Sequence, residues 1–190
     1  MDVYFKKEIP YSFQGEKFTF AAANTLFSTS EIDHGTDVLL RSIVTNSPKT
    51  ILDVGCGYGP IGIVLAKKNP QAQVTLIDYN LLAVRYSREN IKRNGVPNAT
   101  VLGSVGLEAI LDKTYDLIVS NIPAKIGDEA IAQDFILIPY EHLTLGGELW
   151  IVAVNALNRL IPRVGRKHEL NMKEIKKKSG HSVYRIRKPL

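Results

Sequence analysis

The sequence predicts an α/β fold: a seven-stranded, mostly parallel sheet with helices on both faces and an antiparallel hairpin at its C-terminal end. Three observations predict it. Strand and helix signals alternate from about residue 50 to residue 154, as a parallel sheet with crossover helices requires. The apolar run Ile51-Leu-Asp-Val54 feeds the glycine-dense turn Gly55-Cys-Gly-Tyr-Gly59, which opens straight into a second apolar segment. That layout holds a nucleotide-like ligand at the carboxyl end of a parallel strand. Near the C-terminus, two alternating segments flank Ser179-Gly180, a hairpin signal.

The elements follow in order. The first 48 residues form an extension or lid before the core, with a small hairpin over 13–20 and a helix over 37–44 that Thr36 is placed to cap. Residues 50–54 read as a buried strand and 60–68 as the helix after it. Residues 73–77 form the second strand and 81–94 a helix, stopped by Gly95 and Pro97. Short strands follow at 99–102 and 115–120, then a helix at 128–140. Gly146-Gly147 turns into a fifth strand at 148–154, and 155–169 reads as a helix broken near Pro162 and Gly165. Strands at 172–178 and 182–187 close the sheet. The whole chain of 190 residues reads as one domain.

Composition narrows the class. Hydrophobic residues make up 45%, yet no run reaches the roughly 18 apolar residues of a membrane span. The N-terminus has no apolar core of signal-peptide type, and a cytoplasmic location is expected. Cys56 is the single cysteine and reads as a buried packing residue. The net charge is +5, but residues 159–188 hold eleven Lys/Arg against Glu169 and Glu174, a local +9. A basic end on a near-neutral body suits either a polyanion partner such as RNA or a solvated lysine-rich surface.

Two ligands compete for the glycine turn. Gly57-x-Gly59-x-x-Gly62 matches the dinucleotide fingerprint, with Asp78 21 residues beyond Gly57 as the ribose acid. Pro60 argues against it, having no backbone N–H to offer a pyrophosphate. Asp53 argues the same way, because it sets a carboxylate near that negative charge. A ligand with an adenosine end and a cationic amino-acid end fits better: Asp78 on the ribose hydroxyls, Asp53 on the ammonium side, bare glycine backbone between. S-adenosylmethionine is such a ligand, and no metal is expected.

Asn121-Ile-Pro123 is the second constellation. It follows the apolar strand Leu117-Ile-Val-Ser120 and so lies at the carboxyl edge beside the first turn. An exocyclic amine is a poor nucleophile because its lone pair is delocalised into the ring. An asparagine carbonyl and a neighbouring backbone carbonyl accept its hydrogens, aim the lone pair, and stabilise charge growing on nitrogen. Pro123 holds Ile122 extended and stiffens the loop.

These pieces, in their order, resemble the small-methyltransferase domain of bacterial ribosomal RNA guanine-N2 methyltransferases and their stand-alone archaeal relatives. The matching segments are Phe27-Ser28, Asp33-x-Gly35-Thr36, Leu52 to Gly62, Asp78-Tyr-Asn80, Asn90-x-x-Arg-Asn94 and Ser120-Asn-Ile-Pro123. The resemblance implies a Rossmann-like methyltransferase sheet. It implies S-adenosylmethionine held by Thr36, Asp53, Gly55, Cys56, Gly57, Gly59, Asp78, Tyr79, Ser104 and Asn121, with Asn121, Ile122 and Pro123 as the catalytic loop. The sequence departs from the family pattern where Ile122 replaces a proline and Ala124 the aromatic that stacks on the target base. Phe27 and Phe20 are then the candidates for a π-face. The leading reading is an RNA N-methyltransferase acting on guanine N2 of ribosomal RNA. A protein-glutamine or small-molecule amine N-methyltransferase stays open, as does a non-catalytic RNA-binding module on the same fold.

Overall fold

The computed structural model describes residues 2–26, 30–44 and 46–190. Seven strands form one sheet: β3 (Thr50–Val54), β4 (Gln73–Asp78), β5 (Ala99–Gly103), β6 (Tyr115–Asn121), β7 (Leu143–Val154), β8 (Asn171–Lys178) and β9 (His181–Arg187). Their spatial order is β5-β4-β3-β6-β7-β9-β8. The pairs from β5 to β7 are parallel, and only β9 and β8 run against their neighbours. The order reverses between β3 and β6, which opens a crevice outside the carboxyl ends of those two strands.

Period-two alternation splits the strand residues between two cores. Ile51, Leu117, Val119, Trp150 and Val183 face one layer with α1 (His34–Leu40), α2 (Pro60–Lys68) and α3 (Leu81–Arg93). Leu52, Ile118, Leu149, Ile151 and Tyr184 face the other. That second layer holds α4 (Asp128–Ala132), α5 (Ile138–Glu141) and α6 (Leu160–Lys167). Helices therefore cover both faces, as the alternation of elements predicts.

Four local readings change. The N-terminal hairpin is longer than 13–20: β1 (Phe5–Phe13) pairs with β2 (Glu16–Ala23) across Gln14 and Gly15, both at positive φ, the geometry of a two-residue hairpin turn. The first helix starts at His34 rather than 37, because Asp33 and not Thr36 is its cap, accepting the Thr36 N–H at 3.0 Å. β7 begins at Leu143 and runs through Gly146-Gly147, since Leu143 already pairs with Tyr115. The expected 155–169 helix is a 3₁₀ turn, Asn155–Leu157, followed by α6 with Pro162 and Gly165 inside it. Pro162 lies in the first turn, where its missing N–H has no intrahelical partner to lose.

The extension is tied to the core by Asn90 of α3 and by Asn94, which caps that helix. Asn90 Oδ1 accepts the Ala21 N–H at 2.7 Å, and its Nδ2 donates to the carbonyls of Ala21 and Tyr58, each at 2.9 Å. Asn94 repeats the pattern one turn on, with the N–H and carbonyl of Thr19. The two side chains stand where a further strand would pair, so the edge of β2 is satisfied without one.

Candidate active site

β3 ends in a buried apolar run, and the chain then turns sharply back under the carboxyl end of β4. The N–H groups of Gly55 and Cys56 both donate to the Ile77 carbonyl at 3.0 Å. Gly59 closes the turn as the cap of α2 at φ 93°, a conformation that L side chains rarely adopt. Pro60 follows at the first helical position, its fixed φ suited to that place.

Asp78 ends β4 in this cleft. Its Oδ2 accepts the Gly57 N–H at 2.8 Å and its Oδ1 the Asn80 N–H at 2.8 Å. Each oxygen keeps a lone pair for a ligand hydroxyl. Burial raises its pKa, while the N–H groups of Asn80 and Gly57 act against that shift.

Asp53 departs from expectation. It is 0% exposed and lies behind the turn, where its Oδ2 accepts the Gly62 N–H at 2.8 Å. It does not line the cleft. Its job is to tie the start of α2 to β3, and its Oδ1 is buried without a hydrogen-bond partner. Burial pushes this carboxyl up to about 7, the Gly62 N–H opposes the shift and the charge of Asp78 adds to it. Gly62 is a glycine for steric reasons: a Cβ there would stand 2.6 Å from Leu76 Cγ and 3.0 Å from Asp53 Oδ2.

Across the cleft, Asn121 ends β6 in register with Val152. Its Nδ2 donates to Asp33 Oδ2 at 2.7 Å and to Thr36 Oγ1 at 3.1 Å. Both amide hydrogens are thereby committed, and the carbonyl Oδ1 is left as the free acceptor. Ile122 is buried, with its N–H on the Val152 carbonyl at 2.9 Å, so the loop after Asn121 is held by the sheet as well as by Pro123.

The resulting cleft of about 540 Å³ has the size and part-apolar wall of a small-molecule site. It brings together Thr36, Gly55, Cys56, Gly57, Asp78, Tyr79, Asn121, Ile122 and Pro123. Asp53, Gly59 and Ser104 do not line it. Ser104 Oγ is engaged locally, donating to the Gly106 carbonyl and accepting the Ala109 N–H. Cys56 is buried as expected, and burial raises its thiol pKa. The cleft suits S-adenosylmethionine. Asp78 offers carboxylate lone pairs beside bare glycine backbone, and Leu26, Ile61, Ala83 and Phe135 add apolar wall.

Sequence reasoning missed three wall residues. Asp33 was recognised only as part of a motif, though it orients Asn121. Phe135 supplies an aromatic ring within 3.4 Å of the position a Gly55 Cβ would take. It sits in a π turn, Gln133–Leu137, which precedes Pro139 in the helix. Pro139 has no N–H for the Phe135 carbonyl, and a widened turn accommodates it. His181 enters from the first residue of β9. Of the aromatics expected here, Phe20 is fully buried, stacked on Phe18 at 6.2 Å and edge-on to Tyr58 at 6.0 Å, so it presents no face. Phe27 lies outside the described residues.

Comparison with known proteins gives the family and the fold. The model of the methyltransferase small domain matches residues 17–185. The YbxB protein of Bacillus subtilis is 32% identical, over 96% of this chain and 92% of its own. The ribosomal RNA small subunit methyltransferase C of Cronobacter sakazakii is 35% identical over 74% of this chain and 42% of its own. The chain thus spans about half, or less, of the length of the relatives bearing that name. In structure it superposes on a Thermus thermophilus 16S rRNA N2 G1207 methyltransferase solved with AdoMet and guanosine. The TM-score is 0.84 at 23% identity, over 97% of this chain and 51% of that one. By sequence, the chain belongs to the methyltransferase small domain family.

Proposed function

We propose that this chain is an S-adenosylmethionine-dependent N-methyltransferase that acts on RNA, at guanine N2 of ribosomal RNA. The observation that carries the reading is the orientation of Asn121. Asp33 and Thr36 hold its amide hydrogens, which leaves its carbonyl Oδ1 as the uncommitted acceptor of a side chain that lines the cleft.

Asp78 would hold the ribose hydroxyls, and the turn from Gly55 to Gly57, with Cys56, Tyr79 and Thr36, would form the remaining wall. Bound there, S-adenosylmethionine supplies an electrophilic methyl carbon. Asn121 Oδ1 accepts one hydrogen of the target amine, aims its lone pair, and stabilises the positive charge that develops on nitrogen. Because Oδ1 is preoriented, no reorganisation is required at the moment of reaction.

An RNA substrate has two supports. The relatives named as ribosomal RNA small subunit methyltransferases share most of this chain's length. The outermost strand, β8, carries Lys173, Lys176, Lys177 and Lys178, none in an ion pair with another described residue, and all exposed. Such a row supplies sequence-independent phosphate affinity. The target base would enter the cleft from a single strand or flipped out of a duplex, and a cytoplasmic location is the one expected for such an enzyme.

The test is transfer of a tritiated methyl group from the donor onto separated RNA and protein fractions from cells lacking the enzyme, followed by nucleoside identification. Label in N2-methylguanosine is the expected result. Label in protein or small amines alone would replace this reading, and none in any fraction, with the donor still bound, would leave a binding module.

A further inference from the structure

His181 occupies a place the proposed reaction has not used. It opens β9 at the carboxyl edge of the sheet, in register with Val154 at the end of β7 and with Lys178 at the end of β8. It lines the same cleft as Asp33, Thr36 and Asn121.

Its ring is held in one orientation. Nδ1 lies 2.9 Å from the Ser179 carbonyl, and a carbonyl only accepts, so Nδ1 carries the hydrogen. In the neutral ring Nε2 is then a bare acceptor. Among the described residues nothing donates to it. Gly35 makes the position possible: a Cβ there would stand 2.9 Å from His181 Cδ2, 3.2 Å from its Nε2 and 2.8 Å from Asp33 Oδ2. The imidazole edge and the carboxylate that orients Asn121 thus converge on the space a single methyl group would fill.

The lining of the cleft therefore includes two uncommitted acceptors, the Asn121 carbonyl and His181 Nε2. A base that satisfied both with one edge would present two neighbouring donors. Among RNA bases only guanine has an exocyclic amine beside a ring N–H. In adenine and cytosine the ring nitrogen next to the amine on the pairing edge is itself an acceptor, and it would face His181 Nε2 unpaired. Burying such an unmatched pair is costly, which makes it an effective filter.

We infer that His181 contacts the target base and selects guanine by accepting its N1–H while Asn121 accepts from N2. The inference rests on the RNA methyltransferase reading above and adds a specificity residue to it. It also gives the lysine row a direction: β8 leads along its length to Lys178, which pairs with His181 at the rim of the cleft.

The test compares two single-stranded RNA 12-mers of uridine with one central purine, either guanine or 2,6-diaminopurine. The analogue keeps the N2 amine and has an acceptor in place of the N1–H. Methyl transfer to each is measured for the wild type, His181→Ala and His181→Gln, with donor affinity and thermal midpoint measured alongside. The wild type should prefer guanine by about tenfold or more. His181→Ala should bring that ratio close to one with donor affinity and melting unchanged, and His181→Gln, which keeps an acceptor, should restore part of it. An unchanged ratio in His181→Ala would overturn the inference, as would a wild type indifferent to the two purines. A wild type that transfers to neither 12-mer nor to any cellular RNA would instead bring down the functional reading beneath it.

Discussion

Asn121 Nδ2 lies 2.7 Å from Asp33 Oδ2, although 88 residues separate the two in sequence. The same Asp33 oxygen accepts the Thr36 N–H at 3.0 Å, so one carboxylate both starts α1 and sets the direction of the Asn121 amide. Helix capping and substrate positioning are thereby coupled through one side chain. Asn121→Ala should reduce methyl transfer by about 10²–10³-fold, the usual cost of losing a preoriented polar group at a reacting centre. Donor affinity measured by calorimetry should stay within a few-fold. Asp33→Ala should show two losses: slower single-turnover transfer, and about 1 kcal/mol of stability from the missing cap. An Asn121→Ala enzyme that turns over normally would end the assignment.

Asp78 holds the glycine turn and faces the cleft at once, through Gly57 and Asn80. Asp78→Ala removes both the ribose acceptor and the partner of the Gly57 N–H. Donor binding should weaken by at least about 100-fold, on the scale of two lost charge-assisted hydrogen bonds. Isothermal titration with S-adenosylhomocysteine reads this directly, and wild-type affinity in the variant would exclude Asp78 from the cofactor site.

Asp53 links stability to pH. Unfolded, its carboxyl ionises near 3.8; in the fold, burial moves it to about 7. Between those values the folded chain binds the extra proton, so Asp53's contribution is full below pH 3.8 and falls as pH rises through 7. The loss is on the order of a few kcal/mol. Asp53→Asn keeps an acceptor for the Gly62 N–H without a charge to bury. In urea melts at pH 5 and pH 8, the variant should gain on the wild type at the higher pH. Parallel melts at both would show that Asp53 does not ionise in this range.

The row on β8 should act on RNA and not on the donor. Replacing Lys176, Lys177 and Lys178 together by Ala should weaken RNA binding and flatten the dependence of log Kd on log salt by about 2, the share of three single-strand phosphate contacts. Filter binding across a salt series measures it, with donor affinity as the control. An unchanged slope would make these lysines a solvated edge that merely guards an open strand.

The sequence by itself determined the sheet and the general place of its site. Period-two apolar strands such as Ile51–Val54 and Leu117–Ser120, alternating with helical segments, leave few arrangements besides a parallel sheet covered on both faces. The glycine turn and Asn121 each follow a strand and so lie at the carboxyl edge, and the pairing of β3 with β6 makes them neighbours. Only the tertiary structure decided which side chains do the work there. Asp53 has the residue type and spacing of a ligand acid, yet in the fold it is buried and spent on the Gly62 N–H. Phe135 and His181 reach the cleft from a π turn and the last hairpin, segments whose local patterns carry no mark of the site, and the motif around Asp33 does not reveal that its carboxylate orients Asn121. Local periodicity encodes which face of an element is buried, whereas the orientation of the Asn121 amide depends on partners 85 and 88 residues away, and only the folded chain brings those together.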